Sequence, residues 1–374
     1  MEFDVFNTGG KLKVAFFCRE TFGNILLNDE NVVRIARVND MEIHLLSLGD
    51  GFSNFIRGDL SDHFLLMHND LVKNLYKYSF QYIQENDIKI SLFFGSGFLW
   101  IESFLTELKQ VSYVACYFAD DPEGAEETSR YYVKNFHYAF CGGIFFDETK
   151  RIEDKYKEWG ARKSKFIPLG ACPVKYKAHL EGYSKRDVEV VYVGGAYLKK
   201  ILRIFKLKKH FGLRMQLYGR DWNYSGRNIL KFCIARLVKG YFKIPEISEL
   251  PADQLVDLYQ RAKIGFNMHM SFGPSNQRLY ELPMNGVMQI CDCEHGLNEI
   301  YEIGKEVVVY RTIDEAIEKI KYYLEHDEER KRIAEAGYNR AKNDYLLEHS
   351  FGKIKNKIIS DIHNNYLSKY PIVD

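Results

Sequence analysis

The sequence has no charge excess, no long apolar run and no regular cysteine framework, and each absence removes a class of protein. Its 374 residues carry 52 Lys or Arg against 51 Asp or Glu. That balance excludes a general nucleic-acid binder, whose footprint is a basic surplus. No stretch approaches the ~18 consecutive apolar residues of a membrane-spanning helix. The first residues, Met1-Glu-Phe-Asp-Val, are acidic and lack the apolar centre of a secretory leader. Seven cysteines, at 18, 116, 141, 172, 233, 291 and 293, fall in unequal steps and mostly inside apolar runs. They read as buried free thiols of a reducing compartment. Cys291-Asp-Cys293-Glu-His295 has the residue types of a metal site, but no second ligand pair at zinc spacing accompanies it, so no metal is expected. Together these absences predict a soluble, cytoplasmic protein, long enough for two to three domains.

What is present is a strict alternation. Strands are expected at Lys13–Cys18, Glu42–Leu48, Ile88–Phe94, Ser112–Phe118, Tyr138–Phe146 and Lys165–Pro168, separated by helices near 62–86, 100–109 and 148–159. Around Pro173–Arg186 the pattern gives way to polar and basic residues, which marks a linker. It restarts with strands at Val188–Val193, Arg214–Tyr218, Ile264–Asn267, Val287–Cys291 and Val307–Tyr310, and helices at 253–261, 312–326 and 328–344. A final helix from about Phe351 to Leu367 is long enough to cross back onto the first domain. Continuous apolar strands alternating with helices indicate an α/β chain with parallel sheets covered on both faces. The expected domains are 1–175, 186–350 and a closing helix in 351–374. Two such domains in series would face each other across a cleft at the carboxyl ends of their strands, where ligands bind.

The most informative stretch runs from Asn267 to Ile290: strand, polar loop, helix, glycine stop at Gly286, strand. Ser275, after Pro274, is expected to cap the helix. The amides of Ser275, Asn276 and Gln277, with Arg278, make a site for an anion such as a diphosphate. Glu281, expected two turns in, is placed to accept both hydroxyls of a ribose. Gly194-Gly195, directly after a strand, lets backbone approach phosphates closely, or is a plain tight turn. Arg220, with a surface role as its alternative, and Lys199, whose several basic neighbours could serve equally, are further cations for the anion, and His269 lies near the site. Asp120 and Asp121 follow a strand at its carboxyl end, where one can serve as base towards an acceptor hydroxyl; Asp-Asp-Pro is equally ordinary turn chemistry. Between Val190 and Pro245 stand 13 Lys or Arg and a single acid, Asp221. The basic, apolar helices at 198–211 and 228–242 suit an anionic membrane surface, or a solvated face beside a phosphate site.

From Val188 to about Phe351 the chain resembles the glycosyltransferases of the GT-B fold. Among them it is similar to the family-four-like group (glycosyl transferases group 1) that includes the CgeB-type spore-maturation proteins. The matching words are VYVGG at 191–195, LYGRDW at 217–222, KIGFNMH at 263–269, NQRLYELPMNGVMQICD at 276–292 and the tail from Asn298 to Tyr345. YFADDPEG at 117–124, FDETK at 146–150 and FIPLGACP at 166–173 look more loosely like the acceptor domain of that group. The resemblance implies two Rossmann-like domains, a nucleotide-sugar donor, an acceptor on a glycan, lipid or protein, metal-independent transfer and retention of configuration. It also implies two glutamates eight positions apart. Glu281 fits the second, but Gly273 stands at the first. That departure leaves a catalytically silent nucleotide-sugar-binding module, or an epimerase of the same fold, as the alternatives.

Overall fold

The computed structural model describes residues 11–19, 29–48, 70–94, 102–118, 133–172, 186–195, 198–219, 250–269, 272–274, 276–292 and 295–369. The chain divides into two compact units, Met1–Leu169 with Leu347–Asp374, and Gly170–Leu346.

In the first unit strands and helices alternate as β1 Leu12–Arg19, α1 Asp29–Val38, β2 Met41–Leu48, α2 Asp70–Glu85, β3 Ile90–Phe94, α3 Glu102–Leu108, β4 Tyr113–Phe118, β5 Tyr138–Cys141, α4 Ile152–Glu158 and β6 Ser164–Phe166. The strands lie in the order β2-β1-β3-β4-β5-β6, all parallel. Every residue of β3 and β4 is buried, as expected for strands with helices on both faces. One face packs Phe17, Phe93 and Phe118 against side chains of α2, α3 and α4 such as Ile83, Leu105 and Tyr156.

The second unit repeats the plan with β7 Val188–Val193, α5 Leu198–Phe211, β8 Met215–Tyr218, α6 Ala252–Arg261, β9 Ala262–Asn267, α7 Arg278–Met284, β10 Met288–Cys291, β11 Val308–Val309, α8 Ile313–Glu325 and α9 Asp327–Asp344. Its parallel sheet runs β11-β10-β9-β7-β8. Ile201, Ile204 and Leu207 of α5 and Ile317 and Ile320 of α8 pack on one face over Val190, Ile264 and Ile290. Because β7 sits between β8 and β9, the strand order reverses there, and the carboxyl ends of β7 and β9 flank the switch point at which such sheets hold ligands.

The chain then returns to the first unit through α10, Leu347–Lys369. Phe351 stacks on Phe16 with ring centroids 4.8 Å apart, and Phe94 lies 5.7 Å away. Asp361, buried in α10, accepts from the Tyr113 hydroxyl and pairs with Lys163. At the chain's two passages between units, Ala171 N–H donates to Tyr345 O at 2.8 Å, and Ser350 Oγ donates to Pro168 O at 2.5 Å.

Two elements differ from the sequence expectation. α1 was not expected, because Val32, Val33, Ile35 and Val38 are β-branched and weak helix formers; it forms by burying Ile35 and packing on β2 and α10. The strand expected at Tyr138–Phe146 ends at Cys141, before Gly142-Gly143, and Phe145 makes only an isolated antiparallel bridge to Arg151. The expected linker at 173–185 and the basic helix at 228–242 lie outside the described residues. Five cysteines, 18, 116, 141, 172 and 291, are free and buried, as their apolar surroundings suggested, and burial pushes the Cys18 thiol up to about 12. Among the described residues no helix is long and apolar enough to cross a membrane.

Candidate functional site at the switch point of the second sheet

The site grows from α7 and the strands on either side of it. Pro283 has no N–H to give Leu279 O, so that carbonyl accepts instead from Tyr301 Oη at 3.0 Å and Gln289 Nε2 at 3.3 Å. Gly286 (φ +64°) ends the helix in a left-handed turn: Val287 N–H reaches Leu282 O and Gly286 N–H reaches Pro283 O, the two bonds of a Schellman motif. Gly265 in β9 lets α7 approach closely, since a Cβ there would stand 2.6 Å from Leu282 Cδ2.

The start of α7 differs from the sequence reading in where the helix begins and in where Glu281 falls on it. The helix begins at Arg278, and the side chain that caps it is Asn276, whose Oδ1 accepts the Leu279 N–H at 3.1 Å. Ser275 lies outside the described residues. Glu281 sits in the first turn, not two turns in, and is buried. Its charge helps to raise the Tyr259 hydroxyl well above the ordinary tyrosine range, after burial itself, which places the carboxylate near Tyr259 of α6.

Arg278 does more than the sequence reading expected. Three of the five N–H groups of its guanidinium fasten the switch point, a task the sequence reading did not assign to it. Nη1 donates to Val193 O at 2.6 Å, Nη2 to Met268 O at 3.0 Å and Nε to Asn267 Oδ1 at 3.1 Å. The group also lies over the Tyr192 ring, 5.4 Å from its centroid. Gly194 must be glycine beside it, because a Cβ would be 2.6 Å from Arg278 Nη1 and 2.7 Å from Tyr192 Oη. Gly219 (φ +135°) closes the end of β8 against the Gly194 carbonyl in the same way. Gly195 follows, half-buried. Asn267 and Asn276 exchange two amide hydrogen bonds, at 3.1 and 2.9 Å, and Asn267 Nδ2 also reaches Gln289 Oε1 at 2.7 Å. Gln277 precedes the helix with its Nε2 buried and unpartnered.

A second cation, missed by the sequence reading, converges on the same carbonyl. Lys200 is buried and its Nζ donates to Met268 O at 2.8 Å. The phase of α5 carried the signal: Lys200 shares a stripe with the buried Ile204, Leu207 and Phe211, whereas Lys199 is in phase with the exposed Arg203 and Lys206. Backbone places Lys199 in the first turn of α5; its side chain lies outside the described residues.

His269 follows β9. Its amide donates to both Asp292 oxygens at 3.0 Å, and its Nδ1 stands 2.8 Å from Asp292 Oδ1. Burial lowers its pKa first, and Arg278 and Lys200 lower it further against the opposing pull of Asp292. The ring is therefore neutral, with Nδ1–H on the carboxylate and a buried, unpartnered Nε2. Nδ1 of His269, Sγ of Cys291 and an oxygen of Asp292 lie within 4.8 Å of one another. With Asp292 already holding the His269 amide and ring, and no fourth ligand among the described residues, the group reads as a hydrogen-bonded pair and not as a zinc tetrad. His295 joins no such cluster; its ring meets Phe272 edge-on at 5.3 Å.

Residues 200–356 match the family described as Glycosyl transferase-like. The likeness to that family is confined to this stretch, less than half of the chain. The chain is 22% identical over 215 residues to the spore protein CgeB of Bacillus subtilis (strain 168), a match covering 54% of this chain and 63% of that relative, less than two thirds of its length. Among solved structures it is similar to HepE of Anabaena in complex with UDP and glucose, at 11% identity and a TM-score of 0.59, covering 93% of this chain and 100% of that one. It is also similar to sucrose-phosphate synthase of Thermosynechococcus elongatus, at 9% identity and a TM-score of 0.62, covering 94% and 100%. At such identities the likeness is one of fold, and the chain has the α/β GT-B fold that its sequence suggested.

Around the switch point of the second sheet the structure places Gly194, Gly195, His269, Asn276, Gln277, Arg278 and Glu281 from the sequence expectation, and adds Asn267, Lys200 and Asp292 to them. Asp120, Asp121 and Arg220 lie outside the described residues.

Proposed function

We propose that the chain is a glycosyltransferase that moves a hexosyl group from a nucleotide sugar to an acceptor hydroxyl on a cell-surface glycan, glycolipid or glycoprotein. The single observation that carries this reading is the meeting of two cations, the buried Lys200 and the half-buried Arg278, on the Met268 carbonyl at the switch point, with Glu281 one turn further along α7.

Breaking the bond between the anomeric carbon and the phosphate oxygen leaves negative charge on the departing diphosphate. Lys200, the remaining N–H groups of Arg278 and the backbone made accessible at Gly194-Gly195 stabilise that charge without a metal. Glu281 holds the ribose hydroxyls. The acceptor oxygen bonds to the anomeric carbon as its proton leaves. With retention, the departing phosphate oxygen can take that proton, so a side-chain base is dispensable; with inversion, Asp120 or Asp121 would take it. Retention is the outcome we expect. The enzyme works in the cytoplasm, at the inner face of a membrane.

UDP, GDP, dTDP, ADP and CMP, added separately in a thermal-shift assay, test the donor site. A nucleotide at 100 times its dissociation constant stabilises the fold by about 2.7 kcal/mol. One of the five, with UDP the first choice, should raise the transition, and Glu281→Ala should abolish that rise. Slow hydrolysis of the matching nucleotide sugar then separates an enzyme from a silent binding module. A flat response to all five would overturn the proposal.

A further inference from the structure

The outer face of α5 has a chemistry that the donor site does not use. From Leu198 to Arg214 the chain carries seven Lys or Arg and no acid. Lys200 and Lys208 are buried on backbone carbonyls, Lys200 on Met268 O and Lys208 on Gly212 O and Met215 O. Lys206 meets Asp314 of α8 at 2.6 Å, and Arg214 meets Glu189 of β7 at 3.4 Å. Arg203 and Lys209 are exposed and have no carboxylate partner among the described residues. Beside them stand two leucines that the fold leaves in water: Leu202 is 64% exposed, and Leu213, on the turn that follows the helix, is 93% exposed. Leu202, Lys206 and Lys209 share one stripe of the helix, three to four residues apart, and the chain turns at Gly212 (φ +57°) to present Leu213 beyond its end.

Among the described residues, a nearly bare leucine beside cations with no carboxylate partner costs solvation and gains no contact in return. An anionic bilayer answers both: its interface takes the leucine side chains, and its surface potential attracts each Lys or Arg near it. We propose that Leu202, Arg203, Lys209 and Leu213 form a docking face through which the second unit lies on an anionic lipid surface. This deepens the reading of the chain as membrane-peripheral and is independent of the transfer chemistry.

Vesicle flotation tests it, with the full chain and vesicles of 70% phosphatidylcholine and 30% phosphatidylserine against pure phosphatidylcholine. Wild type should float with the first and not the second, and should be released by 0.5 M salt. Arg203→Glu/Lys209→Glu should weaken the partition at least about tenfold, since each cation near such a surface is worth roughly a kcal/mol. Leu213→Glu alone should also weaken it. All variants should keep the wild-type transition temperature and nucleotide-induced shift, because none of these residues belongs to the donor site. Equal flotation with both vesicle types, or variants that float as wild type does, would overturn the docking face. Failure of the nucleotide shift in wild type would instead count against the transferase reading and leave this one standing.

Discussion

Replacing Arg278 by Met asks whether this arginine is a phosphate ligand or a fastener of the fold. Three of its donors are spent on Val193 O, Met268 O and Asn267 Oδ1, at 2.6, 3.0 and 3.1 Å. Two of those acceptors keep another donor: Lys200 Nζ on Met268 O and Asn276 Nδ2 on Asn267 Oδ1. Val193 O loses the short charge-assisted bond outright. A bond to a charged group contributes about 1.5–3 kcal/mol, and the two weakened contacts add less, so the loss should be roughly 2–4 kcal/mol. For a unit of this size each kcal/mol moves the transition by about 2–4 °C, giving a fall of roughly 4–16 °C. Calorimetry without nucleotide is the assay. Arg278→Lys should fall between wild type and Met, since an ammonium keeps the charge but not the planar fork. If Arg278→Met without ligand melts within a degree or two of wild type, and only the nucleotide shift disappears, the fastening argument is wrong.

Other perturbations follow from the same geometry. Arg186 is buried and donates to Tyr259 O, Ala262 O and Asn285 O at 3.0, 2.6 and 2.7 Å, so Arg186→Met should cost about 3 kcal/mol, read as a lowered urea midpoint. Gly219→Ala puts a Cβ onto the Gly194 carbonyl in a left-handed conformation and should abolish the nucleotide-induced shift. In the first unit, burial and then the charges of Lys109 and Arg162 lower His137 from 6.5 to about 4, against the pull of Asp361, while its Nδ1 accepts the Val114 N–H at 3.0 Å. The unfolded chain binds this proton first as pH falls, so stability should drop between pH 6.5 and 4, by at most roughly 3 kcal/mol. His137→Asn should flatten the slope in urea midpoints measured at pH 7 and 4.5.

Much of this architecture was legible because the signals are local. Continuous apolar strands, the alternation with helices and Gly286 after Met284-Asn285 all act within a few residues, and they gave both sheets and the β9–α7–β10 unit. The cap and the fastening role of Arg278 were less legible, because Ser275 and Asn276 are both good caps by type, and the amide pair that holds Asn276 reaches back across the loop to Asn267. Lys200 and Asp292 act through partners 68 and 23 residues away, a separation that periodicity does not encode. A basic residue written beside a glycine pair looks available to a ligand; tertiary packing decides how many of its protons are already spent.

The return of α10 makes the first unit discontinuous in a way that matters on the ribosome. Gly170–Leu346 is one unbroken stretch and can condense as soon as it emerges. The sheet bearing Phe16 and Phe94 must wait, with that face uncovered, until Phe351 and Asp361 have been made. A nascent chain stopped at Leu346 would thus hold a finished second unit and a first unit with a bare aromatic surface, the form that chaperones should bind and proteases should clear.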